Sequence, residues 1–147
     1  MPANTSPIYA LQPDVSSNAG TAMAPTLTTA AADYTGASAN NQLVYTANST
    51  EGGIVRGVFF APLGSNTASV ARVYLNNGSV NTTAGNNSYI GGFSLPGTAA
   101  SNIAAEASFF YPFPNGGIGL NPGFRIFVGL GTTVVGGWRV TPVAGRY

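Results

Sequence analysis

The sequence predicts an all-β protein, namely an antiparallel β-sandwich that is jelly-roll-like, with about eight strands and an extended N-terminal arm. Two observations lead to this fold class. Apolar side chains alternate with other residues over short segments, which is the period of a strand with one face on a core. Turn-forming Asn, Pro and Gly residues separate these segments at regular spacing, as at 76–78, 115–117 and 121–123. Such spacing is typical of sandwiches and barrels.

The strand signal is clear from Gln42 onward, and one or two further strands are expected before it. The segments 124–130 and 138–143 at the end of the chain are expected to form two antiparallel strands joined by a short loop. The Ala-rich segment 97–107 contains Gly, Ser and Asn, so it favours a turn over a helix. The predicted strand segments are QLVYTA, GGIVRGVFFAPL, ASVARVYLNN, SYIGGFSLP, EASFFYPFP and these two C-terminal ones.

The domain organisation follows from length and from the N-terminal composition. A chain of 147 residues is sufficient for one hydrophobic core. Residues 1–24 contain Pro2, Pro7 and Pro13 and few apolar side chains, which predicts an extended arm held by a neighbouring subunit or shell. Residues 25–147 are expected to form a single sandwich domain.

Strict alternation assigns each strand residue to the core or to the outer face. The outward set is less polar than is usual for a sandwich in water. Either these are ordinary surface residues with arginine stems lying over aromatic neighbours, or the faces are covered by a protein partner. The predicted inward residues are Val55, Phe59, Ala71, Val73, Leu75, Phe124, Ile126, Val128 and Leu130. The predicted outward residues are Arg56, Val58, Phe60, Val70, Arg72, Tyr74, Arg125 and Phe127.

Six residues are the candidates for a protein interface, because arginines and aromatic residues are enriched at interfaces. The chain has five arginines but four carboxylates, so most arginines are expected to find partners outside the protomer. The candidate interface residues are Arg56, Arg72, Tyr74, Arg125, Phe127 and Arg139.

Composition argues against several functional classes. Charged residues make up 6% of the chain, and His, Cys and Lys are absent, so we expect neither an enzyme nor a cofactor or a Cys/His metal site. A net charge of +1 with scattered arginines argues against a nucleic-acid partner. The sequence contains neither an apolar run that could span a membrane nor a secretory signal, so we expect no membrane partner and synthesis without export.

Three segments carry a resemblance to a known group of proteins. These are ARVYLNNGS (Ala71 to Ser79), FSLPGTAAS (Phe93 to Ser101) and the closing segment from Leu120 to Tyr147, and the opening ANTSPIY is also similar. In these segments, and over most of its length, the chain resembles small structural proteins encoded by tailed bacteriophages and prophages. The shared motifs are strands and turns, so the resemblance implies no catalytic residue.

The resemblance implies a virion component made in the host cytoplasm. Our first expectation is a capsid decoration or cement protein, a homotrimer that docks on the major capsid protein and stabilises the head. The alternative is a module of the tail, neck or fibre that binds host surface glycans through exposed aromatic residues. In both cases the function is structural and needs no acid, base or metal.

Overall fold

The computed structural model describes residues 12–14, 24–31 and 33–146, which form an all-β architecture. Within this part of the chain the helical segments are two 3₁₀ turns, Ala84–Asn86 and Pro114–Gly116. The low helix content predicted from the sequence is therefore confirmed. The strands are β1 (Gln12–Asp14), β2 (Thr26–Leu27), β3 (Gln42–Thr46), β4 (Gly53–Pro62), β5 (Ser69–Asn76), β6 (Asn87–Leu95), β7 (Phe109–Pro112), β8 (Ile118–Leu120), β9 (Arg125–Leu130) and β10 (Trp138–Arg146).

The strands form two antiparallel sheets with the strand order of a jelly roll. A six-stranded sheet has the order β1-β10-β4-β7, with β2 also on β10 and β8 also on β4, and a four-stranded sheet has the order β3-β9-β5-β6. The pairs β2–β10, β3–β9, β4–β7 and β5–β6 make one long antiparallel ribbon. The pairs β10–β4 and β5–β9 fold that ribbon into two layers. The predicted jelly-roll-like sandwich is confirmed.

The strands beyond the expected eight come from two interrupted edge strands. β1 and β2 pair with successive parts of β10, and β7 and β8 pair with successive parts of β4. Between β7 and β8 the chain contains Pro114, which has no N–H to donate, and Gly116 and Gly117 at φ 80° and 140°. These residues end the pairing and restart it further along β4.

Only part of the predicted N-terminal arm lies within the described residues. The backbone of Gln12–Asp14 pairs antiparallel with the end of β10, from Ala144 to Arg146. The segments 1–11 and 15–23 lie outside the described residues. At this point the arm therefore extends the protomer's own six-stranded sheet.

The core lies between the two sheets. Trp138 and Phe60 are its largest side chains from the six-stranded sheet, and Ile126, Val128 and Leu130 enter it from β9. Ring contacts join the layers, because Phe93 of β6 stacks on Tyr111 of β7 with centroids 4.9 Å apart. The predicted inward positions Val55, Ala71, Val73, Ile126, Val128 and Leu130 are confirmed, while Leu75 and Phe124 are partly buried against the core.

A β-bulge in β4 reverses the predicted assignment of its second half. Val143 of β10 pairs with Gly57 and Ala144 pairs with Val55, so Arg56 is an extra residue without a counterpart. One inserted residue moves every following side chain to the opposite face. The prediction that Phe59 points inward is therefore wrong, since it is 44% exposed. The prediction that Val58 and Phe60 point outward is wrong as well, since both are fully buried.

The two C-terminal strands form, but they do not pair with each other. β9 belongs to the four-stranded sheet and β10 to the six-stranded sheet, so residues 131–137 cross from one layer to the other. Alternation within each segment predicted that it forms a strand. Which other strand it pairs with depends on the strand order of the whole ribbon. In this crossing, Val134 is buried against the core and Val135 is 92% exposed.

The bulge makes a testable prediction about two adjacent phenylalanines. Phe60→Ala removes a fully buried ring and is expected to lower the free energy of unfolding by about 3–5 kcal/mol. Phe59→Ala removes a half-exposed ring and is expected to cost about 1 kcal/mol or less. Urea denaturation of the two variants measures the difference. A larger loss for Phe59→Ala would show that β4 follows the alternation without the bulge.

Candidate protein interface

The six predicted interface residues lie on two opposite faces of the sandwich. Arg56 of β4 and Arg139 of β10 are exposed on the outer face of the six-stranded sheet. The other four, which belong to β5 and β9, lie on the outer face of the four-stranded sheet. The structure therefore does not bring all six together into one surface. The residues of the second set are Arg72, Tyr74, Arg125 and Phe127.

A segment of the same chain covers the outer face of the four-stranded sheet. We call residues 33–41 the cover segment. The Tyr74 hydroxyl donates a hydrogen bond of 2.9 Å to the carbonyl of Asp33, and the Asn41 side chain donates one of 2.8 Å to the carbonyl of Gly36. Gly36 lies so close to the Tyr74 ring, at φ 76°, that a Cβ there would be 2.9 Å from a ring carbon. The segment therefore packs tightly on β5.

Arg72 is held within the same arrangement. Its Nη1 donates a hydrogen bond of 2.9 Å to the carbonyl of Ala31, just before the cover segment. Its guanidinium carbon lies 4.2 Å from the centre of the Tyr34 ring, a cation–π contact. Tyr34 in turn meets Tyr89 edge to face, with centroids 5.7 Å apart. Arg72 thus binds groups of its own protomer.

Alternation predicted an exposed apolar face on β5 and β9, but two of the residues assigned to that face are buried. Tyr74 is fully buried and Phe127 is 7% exposed within the protomer itself. Arg125 is half-buried at the start of β9, and its buried Nε has no hydrogen-bond partner among the residues that the structure describes. The chain therefore supplies most of the cover that we expected from a partner protein on this side.

The outer face of the six-stranded sheet carries an exposed aromatic pair. Phe59 of β4 and Phe110 of β7 are cross-strand partners with ring centroids 4.7 Å apart, and they are 44% and 43% exposed. Gly57 makes this arrangement possible, because a Cβ at that position would lie 2.6 Å from the Phe110 ring. Without a side chain at Gly57, the Phe110 ring lies directly over β4.

The aromatic pair is flanked by two arginines. Arg56 lies three residues before Phe59 on β4, and Arg139 pairs across the sheet with Ala61, two residues after Phe59. Both arginines are exposed, and Arg139 Nη1 donates a 3.3 Å hydrogen bond to the carbonyl of Ala24. We call Arg56, Phe59, Phe110 and Arg139 the docking face. It combines solvent-exposed aromatic area with positive charge, which is the side-chain combination enriched at protein interfaces.

Sequence reasoning found the two arginines of the docking face but not its two phenylalanines. Phe110 lies between the inward-facing Phe109 and Tyr111, so alternation within β7 could have placed it outside. Phe59 could not be placed in this way, because alternation treats Arg56 as an ordinary strand residue. Gly57, a glycine inside the strand, is a local sign of a bulge. The extra residue itself is defined by the pairing of β4 with β10.

Among the described residues there is neither a cluster of metal-ligating side chains nor a membrane-spanning helix. Within 24–31 and 33–146 no three His, Cys, Asp or Glu side chains are grouped as a metal site. In the same part of the chain, no helix has the length and apolar composition needed to cross a bilayer. No family model, no curated protein and no solved structure matches the chain.

The cover segment also changes the pKa of the Tyr74 hydroxyl. Burial under this segment raises the pKa of the Tyr74 hydroxyl above its ordinary value of 10.0, while the nearby Arg72 cation partly opposes the shift. The folded protein therefore retains the Tyr74 proton at a pH where the unfolded chain has lost it. The contribution of this hydroxyl to the free energy of unfolding is complete below about pH 10. It is lost as the pH rises through the pKa of Tyr74 in the folded protein.

This linkage is measurable with one variant. We expect the free energy of unfolding of the wild-type protein to decrease above about pH 10. In Tyr74→Phe that decrease should be smaller, because the substituted ring has no proton to lose. Denaturant unfolding at neutral and alkaline pH, done in parallel on both proteins, gives the comparison. Identical pH dependence in the two proteins would show that Tyr74 is not the group responsible.

Proposed function

We propose that the protein is a non-enzymatic structural component of a bacteriophage particle, a decoration or cement protein that docks on the shell of the head. The observation that carries this proposal is the docking face, where two exposed phenylalanines lie between two exposed arginines. The resemblance of the sequence to phage structural proteins supports the particle as the setting. A repeated docking site on a shell suits a rigid domain, because many equivalent copies compensate for a modest interface in each.

The chemistry of the docking face indicates what its partner presents. The phenylalanine rings offer apolar area that gains free energy when a partner removes it from water. Arg56 and Arg139 favour carboxylates, with which a guanidinium makes paired hydrogen bonds. We therefore propose that the docking partner is the major capsid protein, at a position where an apolar depression is rimmed by acidic side chains.

The docking face has a direct test on particles. Replacing Phe59 and Phe110 together by Ser is expected to weaken binding by about 2–4 kcal/mol per copy. Replacing Arg56 or Arg139 by Ala is expected to cost roughly 1–3 kcal/mol. The measurement is the number of copies bound per particle, when purified variants are added to particles that lack the protein.

A matched control keeps this test specific. Val80 is 63% exposed in the loop between β5 and β6 of the other sheet, so Val80→Ser removes exposed apolar area away from the docking face. It should leave occupancy unchanged, and thermal melting should show that all variants remain folded. Full occupancy of the Phe59/Phe110 double variant would contradict docking through this face. If electron microscopy of particles labelled with antibodies against the protein shows label on the tail alone, placement on the head is contradicted.

We also propose that the copies form a homotrimer. A net charge of +1 and a charged fraction of 6% give little electrostatic protection against association, and closed symmetric oligomers are the usual outcome. Light scattering of the purified protein at tens of micromolar should give the mass of three chains. A monodisperse monomer under these conditions would contradict the trimer.

A further inference from the structure

An open cavity of about 270 Å³ is formed by the loop between β6 and β7, which leads directly into β7, the strand that carries Phe110. Its size is slightly below the range of roughly 300–1,000 Å³ that takes drug-sized ligands, so it suits a single side chain. Much of its wall is formed by small residues of the loop, and Phe109 forms one side. The wall residues used below are Pro96, Ala99, Ala104, Ala105, Glu106 and Phe109.

Glu106 is the charged group of this cavity. Its Oε1 is a buried oxygen that accepts no hydrogen bond from the described residues, although the side chain as a whole is half-buried. A buried carboxylate oxygen without a donor costs free energy, because it has lost water and gained nothing in return. The terminal torsion of a glutamate is broad, so the carboxylate can rotate to present an oxygen to a donor inside the cavity.

The composition of the wall favours an organic cation over a metal ion. Ca²⁺ and Mg²⁺ need several oxygen ligands, but Glu106 belongs to no group of three His, Cys, Asp or Glu side chains among the described residues. The alanines and Phe109 offer apolar area instead. An arginine side chain matches both parts, since its methylene stem lies along apolar surface while its guanidinium pairs with a carboxylate through two hydrogen bonds.

The position of the cavity indicates where such a side chain comes from. Phe109 lines the cavity, and the next residue along β7, Phe110, belongs to the docking face. The loop of the cavity therefore ends at the start of β7, one residue before the position that this strand contributes to the docking face. Arg72 and Arg139 of this protomer donate hydrogen bonds to backbone carbonyls, those of Ala31 and Ala24.

We propose that this cavity receives an arginine side chain from the partner protein, which pairs with Glu106 when the docking face is engaged. The inference rests on the proposed docking function for the identity of the partner, while the cavity's affinity for a guanidinium is a property of the protomer alone. The docking face thus binds acidic groups of the partner, and the cavity accepts one basic group. The two contacts together fix the orientation of the protomer on the partner.

The first arm of the test uses the isolated protein and a small probe. Isotope-labelled protein is titrated with n-butylguanidinium chloride and followed by NMR at the amides of Ala104 to Phe109, with sodium chloride as the salt control. We expect saturable shifts in the wild type with a dissociation constant of millimolar order. Glu106→Gln should weaken binding about tenfold or more, as loss of a charge-assisted hydrogen bond predicts. Glu51→Gln, at an exposed carboxylate in another turn, should leave it unchanged.

The outcomes of this arm are distinct. Shifts that do not saturate, or equal affinity in Glu106→Gln, would overturn the cavity as a cation site. Binding of n-butylammonium as tight as that of n-butylguanidinium would overturn the choice of arginine. Melting curves of both glutamine variants establish that they are folded.

The second arm uses particles and separates this inference from the proposed function. Glu106→Gln should lower occupancy of the particle about tenfold, whereas Glu51→Gln should not. Normal occupancy of Glu106→Gln, together with loss of occupancy in the Phe59/Phe110 double variant, would overturn the arginine contact and support docking. Reduced occupancy of Glu106→Gln with full occupancy of the double variant would support the cavity contact and contradict the docking face.

Discussion

The extra residue at Arg56 determines which side chains of the longest strand belong to the core and which to the surface. Before this position β4 points Val55 inward, and after it the strand points Val58 and Phe60 inward and Phe59 outward. The bulge thereby places one phenylalanine in the core and its neighbour beside Phe110. Without it, Phe59 would face the core and the exposed aromatic pair could not form. Bulges next to functional sites commonly redirect a side chain in this way.

The aromatic residues on the two outer faces of the sandwich are covered to different extents. Both carry aromatic residues and arginines on strands whose inner sides form the core. On the four-stranded sheet the cover segment buries Tyr74 and supplies carbonyl partners, so this face is satisfied within the protomer. On the six-stranded sheet the described part of the chain leaves Phe59 and Phe110 nearly half exposed. This difference is the reason that the proposed docking function is placed on the six-stranded sheet.

Because the chain has few charged groups, the positions of those groups determine most of the electrostatic specificity of its surface. With five arginines and four carboxylates in 147 residues, a surface of this protein is mostly Ser, Thr, Asn, Gly and Ala, and it offers little electrostatic specificity. The charges that do occur at the docking face and in the adjoining cavity have opposite sign. In the complex that we propose, a partner would have to match both charges, which would favour one orientation over its alternatives.

The sequence by itself determined the fold class, most strands and much of the inner core, because alternation and turn residues act locally and have a fixed period. It also identified Arg56 as outward-facing and Arg139 as a candidate interface residue. Tertiary structure alone decided that Phe59 faces solvent, that residues 33–41 bury Tyr74, and that β9 and β10 lie in different sheets. The physical reason is common to all three. A bulge, a covering segment and a strand order are defined by pairing between residues far apart in the chain, and such pairing leaves no periodic signal in either partner.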